Sequence, residues 1–472
     1  MNTNRLQHYR SWRGRRSQAK LAVILMFVFS LISIWSFSDG LTASGGSDPG
    51  VLSPTDPALV LARPSEPMTP AVEKQSGEKA KKDTCVQCHR EMGDELAAPV
   101  TAMQHDIHYQ RGLSCADCHG GDPTEEDMDR AMDPRRGFVG RPTPQDIPRF
   151  CGKCHSNAEF MKKYNPRLRV DQEAEYYTSI HGKRLVQGDR KVATCISCHG
   201  YHGIRAVSDP QAPVYPTNVA RTCGRCHANA GYMRSYSIPH DQLEKWQASV
   251  HAEALLKKND LSAPTCNDCH GNHGAVPPGV TSVANVCGAC HTRQAELFRK
   301  SPHKPAFDEM GLGECLVCHG NHEIHHPSDE MLGVGDQATC VACHSEGEPA
   351  YQAAQTMRQM IDQMVRELNQ AEALVDRAAR AGMEVSRAKF ELNDAHDKLI
   401  NARVVIHTFS VDELQKVVTP GIDTAKKAHR MGVEALNELQ FRRKGLAASL
   451  VVIFLAVIGL YLKIRQIERP GA

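Results

Sequence analysis

All 18 cysteines of this 472-residue chain, and nine of its 24 histidines, fall into one five-residue phrase, Cys-x-x-Cys-His, repeated between positions 85 and 344. The nine copies are Cys85/Cys88/His89, Cys115/Cys118/His119, Cys151/Cys154/His155, Cys195/Cys198/His199, Cys223/Cys226/His227, Cys266/Cys269/His270, Cys287/Cys290/His291, Cys315/Cys318/His319 and Cys340/Cys343/His344. Two thiols three residues apart on one helical turn can each form a thioether to a porphyrin vinyl group, and the next residue then lies under the iron as an imidazole ligand. Paired cysteines can also hold zinc or form disulfides, but neither use needs a histidine after every second cysteine. Thioredoxin-like chemistry uses one such site beside a βαβ pattern, and that pattern is missing here. The spacing therefore indicates nine covalently attached haems c.

A second layer of histidines recurs with the motifs. Three repeat units each open with Cys-Gly-x-Cys-His (Cys151, Cys223, Cys287). An aromatic residue follows (Tyr176, Trp246, Phe298), then a serine three residues on (Ser179, Ser249, Ser301) and a histidine two further (His181, His251, His303). Each unit closes on a second motif followed by Gly-x-His, which supplies His202, His273 and His322. An irregular first copy runs from Cys85 to Gly121 and carries His105 and His108; a lone ninth motif follows at Cys340. His202 lies three residues past His199, on the same side of that haem, so it must serve a neighbouring haem or none. His181, His251 and His303 are expected to face the motif that follows each of them. These eight histidines leave one iron over. His407 is the preferred ninth distal ligand, with His240, His325, His326, His396, a methionine or an open position as alternatives.

These sites need a frame to hold them. The formal charge of +2 is too balanced to suggest nucleic acid, and only 6% of residues are aromatic, so porphyrin is expected to supply much of the core. Residues 1–20 are basic and residues 21–37 form an apolar run of about 26 Å if helical, enough to span a bilayer with the N-terminus in the cytoplasm. An uncleaved anchor is preferred over a signal peptide. Residues 38–80, rich in Pro, Ser and Gly, read as a disordered tether. Residues 81–347 form the haem domain.

Beyond it, residues 348–444 are charged and helical in pattern. Met357, Ile361, Met364, Leu368, Ala371, Val375 and Ala378 alternate steps of four and three, as do Ala388, Leu392, Ala395, Leu399, Ala402 and Ile406. With Gly382 between them they predict an antiparallel coiled hairpin. A third helix starts at Ser410-x-x-Glu413 and is expected to restart after Pro420-Gly421. His396 and His407 are expected to share a helix face. Residues 445–462 form a second membrane-length apolar run that returns residues 463–472 to the cytoplasm, and the third helix enters it without a linker. The fold class expected is mainly α with little regular sheet: a domain organised around nine haems, then a helical bundle, flanked by two transmembrane helices.

The phrase Ser-x-His followed by Cys-x-x-Cys-His-Gly-x-His resembles the doubled-motif multihaem c-type cytochromes, the group that includes cytochrome c3-like proteins and decahaem conduits. The resemblance covers Cys85 to His344. It implies bis-histidine irons, attachment on the periplasmic face of a bacterial inner membrane, and electron transfer in anaerobic or metal-linked respiration. The long C-terminal helices are similar to those of the nitrite reductase and hydroxylamine oxidoreductase group, which pack on haems and mediate oligomers. All nine motifs here end in histidine, whereas the catalytic haem of typical nitrite reductases has lysine. The leading expectation is a membrane-anchored electron carrier without catalytic residues, working between a quinol-oxidising subunit and a periplasmic or outer-membrane acceptor. Quinol oxidation by the chain itself, and reduction of nitrite, hydroxylamine or a sulfur oxyanion at an open iron, are the alternatives. Neither apolar run contains an ionisable residue to take a quinol proton.

Overall fold

The computed structural model describes residues 83–468, apart from 275 and 278, and these belong to the unit Glu78–Ala472. The expected N-terminal anchor at 21–37 and the tether at 38–80 lie outside the described residues. Within them the chain is helical, with no strand.

Residues 83–347, the expected haem domain, are a succession of short helices. α1 (Thr84–Met92) carries the first motif and α2 (Asp94–Ala102) folds back on it. Three motifs form five-residue helices of their own: Cys115–His119, Cys195–His199 and Cys266–His270. Helices this short are unstable alone. Their sequences compensate, because Ser114, Thr194 or Thr265 precedes the first cysteine and Asp117, Ser197 or Asp268 sits between the two, forming a capping box inside the motif. The reciprocal bonds from Ser114 N to Asp117, Thr194 N to Ser197 and Thr265 N to Asp268 measure 2.6, 3.0 and 2.8 Å. Gly120, Gly200 and Gly271 end these helices at φ of +71°, +81° and +77°, where a side chain would be strained.

Between the motifs, paired helices present the repeat histidines. α3 (Gln172–Thr178) leads to α4 (Ile180–Val186), α5 (Gln242–Gln247) to α6 (Val250–Lys257), and α7 (Thr292–Arg299) to α8 (His303–Met310). Ser179 and Ser249 cap the second helix of their pairs, accepting from Gly182 N and Ala252 N. Ser179, Ser249 and Ser301 each donate to the carbonyl of the preceding aromatic, at 2.6, 2.6 and 2.7 Å. The serine thus joins two helices at a fixed angle and sets the histidine two residues later at the joint. Apolar clusters in this domain are small, one around Trp246, Ala252 and Leu255 and another around Tyr176, Leu185 and Val192.

The C-terminal part has a conventional core. α9 (Pro349–Arg380) and α10 (Ser386–Val405) form the predicted hairpin, turning at Gly382 with φ +79°. All seven predicted α9 positions are buried, as are Ala388, Leu392, Ala395, Leu399 and Ala402 of α10; Ile406 falls in the 3-10 turn Ile406–Thr408. α11 (Val411–Ile467) runs parallel to α9, with Gly421 against Met364 and Gly432 against Leu374 and Val375.

The expected restart at Pro420-Gly421 does not occur, because α11 is continuous through Pro420. Proline removes one helical hydrogen bond, but Leu414 and Val418 before it are fully buried, and Ala425 and Ala428 after it likewise. Packing on both sides of the proline outweighs the lost bond. At 57 residues α11 is about 86 Å long, and an 18-residue window within it has a mean hydropathy of 2.5, long and apolar enough to cross a membrane.

Candidate haem centres

The second histidines meet the motif histidines in a regular pattern. Ring centroids lie 5.9–6.4 Å apart in eight pairs: His108 with His155, His202 with His119, His181 with His227, His273 with His199, His251 with His291, His322 with His270, His303 with His344, and His407 with His319. An imidazole nitrogen binds a metal at about 2 Å and sits about 1.1 Å from its ring centre, so two rings on opposite sides of one iron have centroids about 6 Å apart. The residues present therefore fit bis-histidine haem. His155, His202, His227, His251, His270, His273, His303, His319, His322 and His407 are all shifted down, chiefly by burial, and His181 likewise. His199 is pushed down to about 4 by burial, with His273 and His155 adding to the effect. These imidazoles are neutral at neutral pH, the form that binds a metal.

The pairing corrects one expectation. His181, His251 and His303 do not face the motif that follows each of them. Each skips it and meets the next one, at His227, His291 and His344. His108 does the same, passing Cys115 to reach His155. The following motif is already faced from the other side, because His202, His273 and His322 each reach back by two motifs, to His119, His199 and His270. Forward-reaching histidines serve alternate motifs and backward-reaching ones the motifs between.

His407 faces His319, its Nδ1 lying 2.9 Å from the Val404 carbonyl, which leaves Nε2 available to bind a metal. His396 does not share that setting: its Nε2 lies 2.5 Å from Glu372 of α9. His105 is exposed, and His89, whose Nδ1 lies 3.3 Å from the Leu96 carbonyl, is in none of the eight pairs. His240, His325 and His326 are exposed and outside them too.

The motifs adjoin one another in chain order. The first cysteines meet at Cys151 with Cys195, Cys223 with Cys266 and Cys287 with Cys315, and Cys115 lies within electrostatic range of Cys85. The second cysteines bridge the alternate gaps: Cys118 neighbours Cys154, Cys198 neighbours Cys226, Cys269 neighbours Cys287 and Cys290, and Cys318 neighbours Cys340 and Cys343. Lys153 and Arg225, each inside a motif, donate to the end carbonyls of the motif helix before, to Asp117 at 3.0 Å and Ser197 at 2.6 Å. One continuous cavity of 3820 Å³ follows this path and is lined by residues from Thr84 to Phe409. All 18 cysteines are free of disulfides, and among the described residues no group of three His, Cys, Asp or Glu side chains is arranged to hold a bare metal ion.

Residues 107–228 match the family model for Cytochrome c3, and residues 62–120 and 286–366 match that for Cytochrome c554 and c-prime. The chain is a multihaem c-type cytochrome. It binds haem c covalently. The cytochrome is 25% identical over 171 residues to the C-type polyheme cytochrome OmcC of Geobacter sulfurreducens, covering 32% of this chain and 20% of that protein. It is 24% identical over 291 residues to the Multiheme cytochrome MtrA of Shewanella baltica, covering 53% of this chain and 80% of that protein. No solved structure matches it.

Two contributors to these centres were missed in the sequence. Phe409 packs its ring 4.1 Å from that of His303, centroid to centroid. Asp106 contacts His108 directly. The second was legible: Asp106-Ile-His108 has the spacing of Ser179-Ile-His181, Ser249-Val-His251 and Ser301-Pro-His303. The aspartate takes the serine's place as helix cap, accepting from His108 N at 2.8 Å.

Proposed function

We propose that this cytochrome carries electrons along nine haems in chain order, from a donor associated with the bacterial inner membrane to a periplasmic or outer-membrane acceptor. The observation that carries the reading is the unbroken succession of adjoining motifs from Cys85 to Cys343 along one cavity, with imidazole pairs spaced for iron at eight of the nine stations. The 18 cysteines would hold the porphyrins and the nine motif histidines their irons. His105, His108, His181, His202, His251, His273, His303, His322 and His407 would provide the distal ligands. His105 is assigned to the iron of His89 because it follows that motif by sixteen residues and is in none of the eight pairs. Each haem supplies one-electron redox chemistry; the protein's part is to hold adjoining haems close, present imidazoles to the iron and exclude water.

In the same reading, residues 445–462 of α11 anchor the protein in the membrane, residues 21–37 provide a second anchor, and the haem domain lies in the periplasm. Eight stations with paired imidazoles, and His105 assigned to the ninth iron, favour electron carriage over reduction of nitrite, hydroxylamine or a sulfur oxyanion at an open iron. The mass of the mature polypeptide tests the assignment. It should exceed the sequence mass by nine haems, with every iron low-spin in the oxidised protein. Bare thiols at any motif, or bound zinc, would overturn it.

A further inference from the structure

Asp106 is buried, with 7% of its surface exposed, and its side-chain hydrogen bonds run to one candidate iron ligand and to the two residues that follow another. Oδ1 lies 3.0 Å from His108 Nδ1 and accepts from His108 N at 2.8 Å. Oδ2 accepts from Gly203 N at 2.7 Å and Ile204 N at 2.8 Å, in the turn just after His202. The Ile107 N–H donates to the Ile204 carbonyl at 2.7 Å and closes the junction. His202 itself sits at φ +47°, a conformation uncommon outside glycine that needs outside support. Its two oxygens thus accept from His108 N, Gly203 N and Ile204 N and face His108 Nδ1. A carboxyl group therefore lies against His108 and beside the turn of His202.

The corresponding residues of the other three boxes are uncharged. Ser179, Ser249 and Ser301 turn their hydroxyls onto backbone carbonyls, and the Nδ1 of His303 is buried without a partner. Among the described residues, Asp106 with His108 is the one carboxylate hydrogen bond to a ring nitrogen of the eight pairs; Glu348 lies 3.4 Å from His344 Nδ1 as a partly exposed ion pair.

We infer that Asp106 is a positioning residue that lowers the reduction potential of the third haem, between His108 and His155, below those of the other forward-reaching stations, and fixes the His202 ligand of the second haem. The carboxylate draws the Nδ1 proton of His108, makes the imidazole a stronger electron donor, and stabilises the extra positive charge of ferric iron. Two adjoining stations are thereby tuned from one side chain. The inference rests on the assignment of His108, His155, His119 and His202 as iron ligands.

The test uses the full-length protein carrying Asp106→Ser, which installs the cap of the other three boxes, and Asp106→Asn, which keeps an acceptor and removes the charge. Haem content is measured first, then each haem's midpoint by potentiometric titration followed by electron paramagnetic resonance. Both variants should keep all their haems and show one midpoint raised by about 59 mV, a roughly tenfold change in the ferric-to-ferrous ratio for one electron. The g-values of that centre should shift, while stations four to nine stay unchanged. Asp106→Ser should also broaden the signal of the second haem, which loses the anchor on the Gly203 turn. Unchanged midpoints with full haem content would overturn the inference, as would equal shifts at all stations. Wild-type protein lacking nine haems, or lacking bis-histidine signals, would instead overturn the ligand assignment beneath it.

Discussion

Arg403 holds Asp329 through two parallel hydrogen bonds, Nε to Oδ1 at 2.9 Å and Nη2 to Oδ2 at 2.8 Å. The pair joins the end of α10 to the segment between the eighth and ninth motifs, four residues before His407 meets His319. The bundle is thereby tied to the haem domain at the point where it supplies a candidate ligand. Replacing His407 by Ala should convert one iron in nine from low-spin to high-spin, seen by electron paramagnetic resonance. Arg403→Ala should leave every iron low-spin and cost only about 0.5–1 kcal/mol, because the pair is partly exposed.

His105 and His240 are both exposed histidines, but only His105 is assigned to an iron. His105→Ala should therefore produce one high-spin centre, at the first haem, and His240→Ala none. Identical spectra for the two variants would remove His105 from the ligand set.

The two parts of the chain differ in what fills their cores. The bundle buries Ile361, Met364, Leu368, Val375, Leu414 and Val418 almost completely, whereas the haem domain has only small apolar clusters around a large cavity. Polypeptide made without haem attachment should keep the circular dichroism of α9 to α11 and become protease-sensitive across residues 83–347. Equal protection of both parts would show that side chains alone hold the haem domain.

Leu368 is 1% exposed at the centre of the bundle. Leu368→Ala should cost about 2–5 kcal/mol in stability of the bundle and leave the haem spectrum unchanged, as read by denaturant titration of the helical signal alongside the Soret band.

The sequence was most readable where covalent chemistry or strict periodicity dictates the answer. The nine motifs follow from thioether spacing, and the α9 and α10 core positions from steps of four and three. Pairing of the histidines was less readable, because His181 and His227 are brought together by the angle at Ser179, which no local spacing encodes. Pro420 misled for a related reason: the cost of proline in a helix is local, whereas the burial of Leu414, Val418, Ala425 and Ala428 that outweighs it comes from α9 and α10. Asp106 has the spacing to its histidine that Ser179, Ser249 and Ser301 have, and differs from them only in its carboxyl group.

The unbroken course of α11 acts as a standoff. From Val411, beside His407, to residue 445 the helix rises about 51 Å, and its parallel register with α9 keeps the hairpin tip, not the haem domain, next to the apolar segment. With residues 445–462 in the bilayer, the ninth station stands a bundle's length above the lipid. A donor dissolved in the hydrocarbon layer would then lie about 51 Å of helix away from the ninth station along this mast.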